Sequence, residues 1–278
     1  MTIDQDVVAE AVSRALAEDL GADGDVTTLA TVDRAAVAEA RFVARQDGVL
    51  SGLPVADFVL GVVGQGRVTV EAEVADGDRL ASGTVIAVVR GPVRDLLTAE
   101  RTALNFLGHL SGVASLTRQW VDAIAGTGAA VRDTRKTMPG LRVLEKYAVR
   151  CGGGVNHRMS LSDAALVKDN HVVAAGGVVE AFELVRARFP GVPLEIEVDT
   201  LEQARAVIDA GADLVLLDNM GLDDMRAAVA YSAGRARLEA SGRLRLDNAR
   251  AVAQTGVDYL AVGALTHSAP VLDIGLDM

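Results

Sequence analysis

From Gly128 onward one unit repeats: an apolar run that closes on polar residues, then an amphipathic stretch. The runs are AAVRDTRK, AALVKDNH, PLEIEVDT, ADLVLLDN, RLEASG and DYLAVGA. Between them lie LRVLEKYAVRC, VVEAFELVRARF, LEQARAVIDAG, LDDMRAAVAYSA and LDNARAVAQTG, with apolar residues at helical spacing. Strand–helix alternation of this kind implies parallel strands joined by right-handed crossovers, as an open sheet or a barrel. PLEIEVDT favours the barrel. Leu194, Ile196 and Val198 share one face, and Glu195, Glu197 and Asp199 share the other. A strand of a doubly wound sheet is apolar on both faces; here one face turns to a polar interior. Lys168 with Asn170, Asp218, and Glu239 with Ser241 extend the pattern at successive strand ends. The carboxyl ends of the strands are where such barrels build their sites.

The residues before this repeat read differently. Residues 4–18 form an amphipathic helix, and EDLGADGDVTTLAT a loop in which Asp25 and Thr27 serve as caps. From Glu39 to Val89 alternating runs around a helical PVADFVLGVV predict a small α+β domain without a metal constellation. Its GVVGQGR precedes a strand instead of opening a helix, so it is not a nucleotide loop. Residues 92–125 form one long helix or two abutting ones. Gly108 and Gly112 mark a close packing contact, Arg101 and Asn105 a polar stripe, and His109 a packing histidine. The expected division is an N-terminal α/β sandwich over 1–112, a barrel over 113–267, and a tail, 268–278, packed on the first domain.

Charge narrows the function. The chain carries a net −11, which excludes the broad basic face that nucleic acid needs. No run of about 18 apolar residues occurs, and the acidic N-terminus is unlike a signal peptide. Cys151 is the only cysteine, excluding disulfide scaffolds and cysteine zinc sites within one chain. A cytoplasmic protein is expected. Against this background Arg132–His171 is a positive island. Arg132, Arg135, Lys136, Arg142, Lys146, Arg150, Arg158 and Lys168 face Asp133, Glu145, Asp163 and Asp169, a local +4. Such an island suits a small, multiply charged anion.

Two arginines, a lysine and a histidine can hold a dicarboxylate, a polyphosphate, or one of each. The acids Glu197 and Asp218 suit ribose hydroxyls, Mg²⁺ carried on a diphosphate, or a cationic sugar carbon. Glu239 and Asp199 either contact ligand or neutralise Lys168. Ser241, Gly242, Gly263 and His267 offer phosphate donors at strand ends. Sugar phosphate, diphosphate and a carboxylated partner are the requirements of a phosphoribosyl transfer.

DTRKT, EKYAVRCGGGVNHR, LVKDNH, EIEVDT, LLDN, EASG and YLAVGALTHS resemble the nicotinate-nucleotide pyrophosphorylase (carboxylating) family, the quinolinate phosphoribosyltransferases. The likeness runs from EDLG…GDVTT to the end of the chain. It implies an N-terminal α/β sandwich with an incomplete, six-stranded type II phosphoribosyltransferase barrel. It further implies condensation of quinolinate with phosphoribosyl pyrophosphate for NAD biosynthesis, Mg²⁺ dependence, and a homodimer or higher assembly of dimers with shared sites. Residue by residue, Arg101 of a neighbouring subunit, Arg135, His157, Arg158 and Lys168 would surround quinolinate. Lys136, Glu197, Asp218, Ser241, Gly242, Gly263 and His267 would hold phosphoribosyl pyrophosphate. Lys168, Glu197 and Asp218 would serve catalysis, with Mg²⁺ held mainly through the diphosphate, near Glu197 and Asp218. One departure is EASGR, where the family reads EASGG: Arg243 stands in place of a glycine. Two other readings remain, a Schiff-base lyase using Lys168, and an anion-binding or molybdenum-transport-associated paralogue.

Overall fold

The computed structural model describes residues 3–278. It opens with α1, Gln5–Leu20, whose N-terminus is closed by the Asp4 carboxylate accepting from the Asp6 N–H. Val8, Val12 and Leu16, one turn apart, are its buried stripe. The stretch expected as a loop contains a short helix, α2, Val26–Thr31. Asp25 caps it, with its carboxylate accepting from Thr28 N–H at 3.0 Å. The turn formers were legible, but a six-residue helix carries too little periodicity to read.

There follow β1 (Val37–Ala44), β2 (Gly48–Val49), α3 (Leu53–Gly64), β3 (Thr69–Ala72), β4 (Arg79–Leu80) and β5 (Val85–Pro92). One unbroken helix, α4, then spans Val93–Ala123. The repeat begins at β6 (Ala130–Arg132) and continues through α5 (Arg142–Cys151), β7 (Ala165–Val167), α6 (Asp169–Ala175) and α7 (Val178–Arg188). Then come β8 (Leu194–Val198), α8 (Leu201–Asp209), β9 (Leu214–Asp218), α9 (Leu222–Ser232) and β10 (Arg237–Ser241). The chain ends with α10 (Leu246–Ala253), β11 (Tyr259–Ala261), α11 (Ala264–His267) and β12 (Ile274–Asp277).

Two compact units result. One runs to Arg118 and takes in Thr137–Gly153 and Ala264–Met278; the other is Gln119–Lys136 with Gly154–Gly263. The boundary expected at 112/113 therefore falls inside α4, and α5 and α11 belong with the first unit. Side-chain chemistry accounts for α5. Tyr147 donates its hydroxyl to Asp76, Glu145 bonds His109, and Cys151 packs with Val49.

In the first unit the sheet order is β12-β1-β5-β3, antiparallel throughout, so the tail supplies an edge strand beside β1. Gly112 explains the tail's path: a Cβ there would lie 2.1 Å from the Pro270 carbonyl oxygen. Gly108 and Gly112 are thus the close contact their spacing suggested, with segment 270–272 as the partner.

In the second unit the six parallel strands run β6-β11-β10-β9-β8-β7. This is sequence order around a ring with one ladder missing, between β6 and β7. The sheet curls. β6 and β8 are four strand spacings apart, about 19 Å if flat, further than an arginine and a glutamate can reach. Yet Arg132 Nη1 on β6 is 3.9 Å from Glu195 Oε2 on β8. This is the incomplete barrel that the sequence pattern led us to expect.

Candidate active site

Four side chains make the polar floor of the second unit. Glu195 on β8 and Glu239 on β10 are 3% and 0% exposed. Each occupies the inward face of a strand whose alternate residues, Ile196 and Val198 or Leu238 and Ala240, are buried apolar. Arg132 on β6 pairs with Glu239, and His157 Nε2 lies 2.7 Å from Glu195 Oε2. The Arg132 guanidinium also lies over the Tyr259 ring, 4.9 Å from its centroid. Burial pushes both carboxyls up, to about 7 each, against the pull of Arg132; their mutual repulsion adds to the rise at Glu239. Both carboxyls are thus shifted toward the protonated form, and Arg132 compensates the charge that remains.

Above this floor a cavity of about 270 Å³ is lined by Thr134, Arg135, Lys136, His157, Arg158, Lys168, Glu197, Glu239 and Ser241. Arg135 and Lys136 stand on the loop after β6, and Lys168 and Glu197 on the ends of β7 and β8. His157 and Arg158 follow a bridge between Arg132 and Val155 that continues the β6 edge. The buried Asp133 carboxylate holds this segment, accepting from the main-chain N–H of His157 at 2.8 Å and from the Asn156 amide at 2.5 Å. Arg158 donates to the Ala164 carbonyl at 3.0 Å. Its pKa lies below the usual range, first because it is buried and next because Arg135 is close. Two guanidiniums crowded on one cavity are a socket for carboxylate or phosphate.

Lys168 Nζ bonds Glu197 Oε2 at 3.0 Å, half-exposed. Glu239 therefore neutralises Arg132 and not Lys168, and Asp199 is an exposed residue whose N–H is capped by Gln203. His171 caps α6 by accepting the Lys168 N–H at 2.9 Å.

Asp218 ends β9 in register with Ser241, and the Asn219 N–H donates to the Ser241 carbonyl at 3.0 Å. A Cβ on Gly242 would meet Asn219 Oδ1 at 2.3 Å, so only glycine fits. Arg243 keeps a left-handed φ of 50°, and its side chain is exposed. Gly263 follows β11. The cavity thus gathers Arg135, Lys136, His157, Arg158, Lys168, Glu197 and Ser241. Asp218, Gly242 and Gly263 lie at strand ends of the same unit but outside its lining. Arg101, exposed on α4, and His267, exposed on α11, belong to the first unit. Sequence reasoning missed Arg132 and Glu195 as a buried pair, though Glu195 had been placed on the inward face.

Among the described residues the one convergence of metal-ligand side chains is His157, Glu195 and Glu239. It does not suit Mg²⁺, which takes oxygen ligands and keeps waters, because one donor is nitrogen and Arg132 already compensates the acids. Glu197 and Asp218, on adjacent strands, suit a hydrated Mg²⁺ whose other ligands come from a diphosphate.

The family model for the quinolinate phosphoribosyl transferase C-terminal domain matches residues 113–277, and that for the N-terminal domain residues 25–111. A Mycobacterium leprae protein named nicotinate-nucleotide pyrophosphorylase [carboxylating] is 52% identical over 277 residues, 98% of each chain. The crystal structure of NadC from Streptococcus pyogenes superposes with a TM-score of 0.96 at 41% identity, covering 100% of this chain and 98% of that one. A nicotinate-nucleotide pyrophosphorylase from Francisella tularensis gives 0.95 at 37%, over 99% and 97%. Two domain models that together span nearly the whole chain, and full-length relatives above a third identical, agree with the curled sheet and its paired arginines: the chain belongs to the quinolinate phosphoribosyl transferase family.

Proposed function

We propose that this chain transfers the phosphoribosyl group of phosphoribosyl pyrophosphate to quinolinate with decarboxylation, giving nicotinate mononucleotide, pyrophosphate and CO₂. The observation that carries the reading is the pair Arg135 and Arg158, close enough to depress the Arg158 pKa and facing one cavity. A dicarboxylate separates and satisfies two such charges.

Arg135 and Arg158 clamp the quinolinate carboxylates, and Arg101 of the partner subunit closes the socket. Lys168, at the cavity mouth, meets either the second carboxylate or the diphosphate, with Lys136 beside it. Ser241, Gly242 and Gly263 take the 5-phosphate. Glu197 and Asp218 face the ribose, where a carboxylate stabilises positive charge developing at C1 as pyrophosphate departs. Glu197 and Asp218 would hold a Mg²⁺ carried on the diphosphate, which would supply charge neutralisation of the leaving group. The clamp aligns the ring nitrogen with C1, so most of the acceleration is positioning and charge placement. No protein nucleophile is required. The new pyridinium then takes up the electrons that the departing CO₂ leaves at C2. Homodimeric assembly and a cytoplasmic location accompany this reading.

The Schiff-base alternative has little support. Lys168 is half-exposed and ion-paired, not desolvated as an amine nucleophile needs to be. The test is release of labelled CO₂ from quinolinate. It should require both phosphoribosyl pyrophosphate and Mg²⁺, and its absence with folded protein would refute the assignment.

A further inference from the structure

Residues 137–141 lead from the cavity loop into α5, and little packing holds them. Met138, Pro139 and Gly140 are exposed, Met138 to 47%. The main chain is nevertheless fixed. Met138, Pro139, Gly140 and Leu141 close as a type II turn: proline is second, glycine is third at φ 82°, and the Leu141 N–H donates to the Met138 carbonyl at 3.1 Å. The Met138 N–H donates to Glu145 Oε2 at 3.1 Å, and Arg142 Nε donates to the Thr137 hydroxyl at 3.0 Å. The first turns of α5 thus grip two successive residues of the segment.

Glu145 is 0% exposed. A buried carboxylate is costly unless its oxygens are hydrogen-bonded. Here Oε2 accepts from Met138, and Oε1 lies 2.8 Å from His109 Nε2 on α4. The positive end of the α5 dipole adds to this, since Glu145 stands in its first turn. For packing alone an apolar side chain would serve, as Leu144 and Ala148 do beside it.

We propose that Glu145 is a positioning residue: its carboxylate, braced by His109, anchors the Met138 main chain and so fixes the loop that presents Arg135 and Lys136 to the cavity. The proposal rests on Arg135 binding quinolinate. Arg135 stands three residues before the anchored amide and Lys136 two. A shift of about 1 Å in a charged clamp can cost on the order of 100-fold in rate.

Hydrogen exchange of the Met138 amide reads the anchor without any substrate. Pro139 carries no amide, so peptides across residues 137–141 hold few signals. Met138 should exchange slowly in the wild type, although its side chain is exposed. It should exchange at least about tenfold faster in Glu145→Leu, which keeps the bulk and removes the acceptor. Fast exchange in the wild type overturns the proposal, whether or not the leucine variant folds.

Kinetics then separate positioning from general loosening. Glu145→Leu should lower kcat/KM for quinolinate by at least about tenfold. Glu145→Gln should recover most of that loss. Its amide oxygen accepts from Met138, and its amide N–H donates to His109 Nε2, which accepts in the other neutral tautomer. Added to Arg135→Ala, Glu145→Leu should cost clearly less than it does alone, because both act through one loop. Added to Ser241→Ala, on β10, it should cost its full factor. A glutamine variant as impaired as the leucine one, or full additivity in both backgrounds, would refute the anchor. Wild-type enzyme that releases no CO₂, while Met138 exchanges slowly and quickens in Glu145→Leu, would sink the substrate assignment alone.

Discussion

Arg132→Met tests the charge balance beneath the cavity. The substitution keeps an unbranched apolar stem and deletes the guanidinium that compensates Glu239 and Glu195. Removing one partner of a buried pair costs about 3–5 kcal/mol, because the other charge stays in the interior. Arg132 retains 16% side-chain exposure, which argues for the lower end. Loss of its contact with the Tyr259 ring adds about 0.5–1 kcal/mol. For a unit of this size each kcal/mol moves Tm by about 2–4 °C, so a fall of roughly 6–15 °C is expected. The loss has a pH sign. The two carboxyls stand at about 7 in the folded protein, above the ordinary 4.5. Groups raised in this way leave stability intact below the unfolded pKa and remove it as pH rises through the folded one. Without Arg132 they rise further, so urea unfolding should show a larger deficit at about pH 8 than at about pH 5. Glu239→Gln in the Arg132→Met background should restore at least about 1.5 kcal/mol at the higher pH, as coupling within one network. Equal deficits at both pH values, a loss below about 1 kcal/mol, or no rescue would show that the floor is not a compensated network.

Arg135→Ala should lower quinolinate turnover by at least about 100-fold, roughly 3 kcal/mol for a charged contact, measured as initial CO₂ release. Arg101→Ala is expected to be comparably inactive. Mixing and reassembling it with Arg135→Ala should restore part of the activity if each site takes Arg101 from a partner subunit; no rescue argues against sharing. Asp25→Ala removes the α2 cap and should cost about 1 kcal/mol in unfolding. Hydrogen bonds from Thr28 hold the Asp25 carboxylate below its usual range, so this contribution is present above the unfolded pKa and lost as pH falls through the folded one. Arg243→Gly removes a left-handed arginine and should stabilise by about 1 kcal/mol, while a rise in KM for phosphoribosyl pyrophosphate in the same variant would reveal a phosphate contact by the guanidinium.

The periodic parts of the chain were readable because their physics is local. Polar residues alternating with Leu194, Ile196 and Val198 mean a two-faced strand, whatever surrounds it. The β6–β11 ring follows from six such strands with right-handed crossovers. Pairing across the ring is not local. Arg132 and Glu239 stand 107 residues apart in sequence, and Arg132 was counted as part of the positive island that meets substrate. Likewise α5 reads as one more crossover helix. Only the partners of Tyr147, Glu145 and Cys151 give it to the first unit. A charge count along the sequence finds where cations are dense, but not which ones are already neutralised.

That difference matters for how an acidic protein attracts a dianion. Of the eight cations in the island, Arg132 is turned inward and used, and Lys146 is 0% exposed on α5 in the first unit. The field at the cavity therefore comes from Arg135, Lys136, Arg158 and Lys168, set off by Glu197. Were both floor glutamates ionised without Arg132, two negative charges would lie within the cavity wall and oppose the substrate. The buried Arg132 guanidinium, and the burial that raises both carboxyls, reduce that opposition. The rim then keeps its positive sign. A chain with a net −11 can hold a dianion because the acids that line this cavity are paired with cations, Glu197 with Lys168 and Glu239 with Arg132.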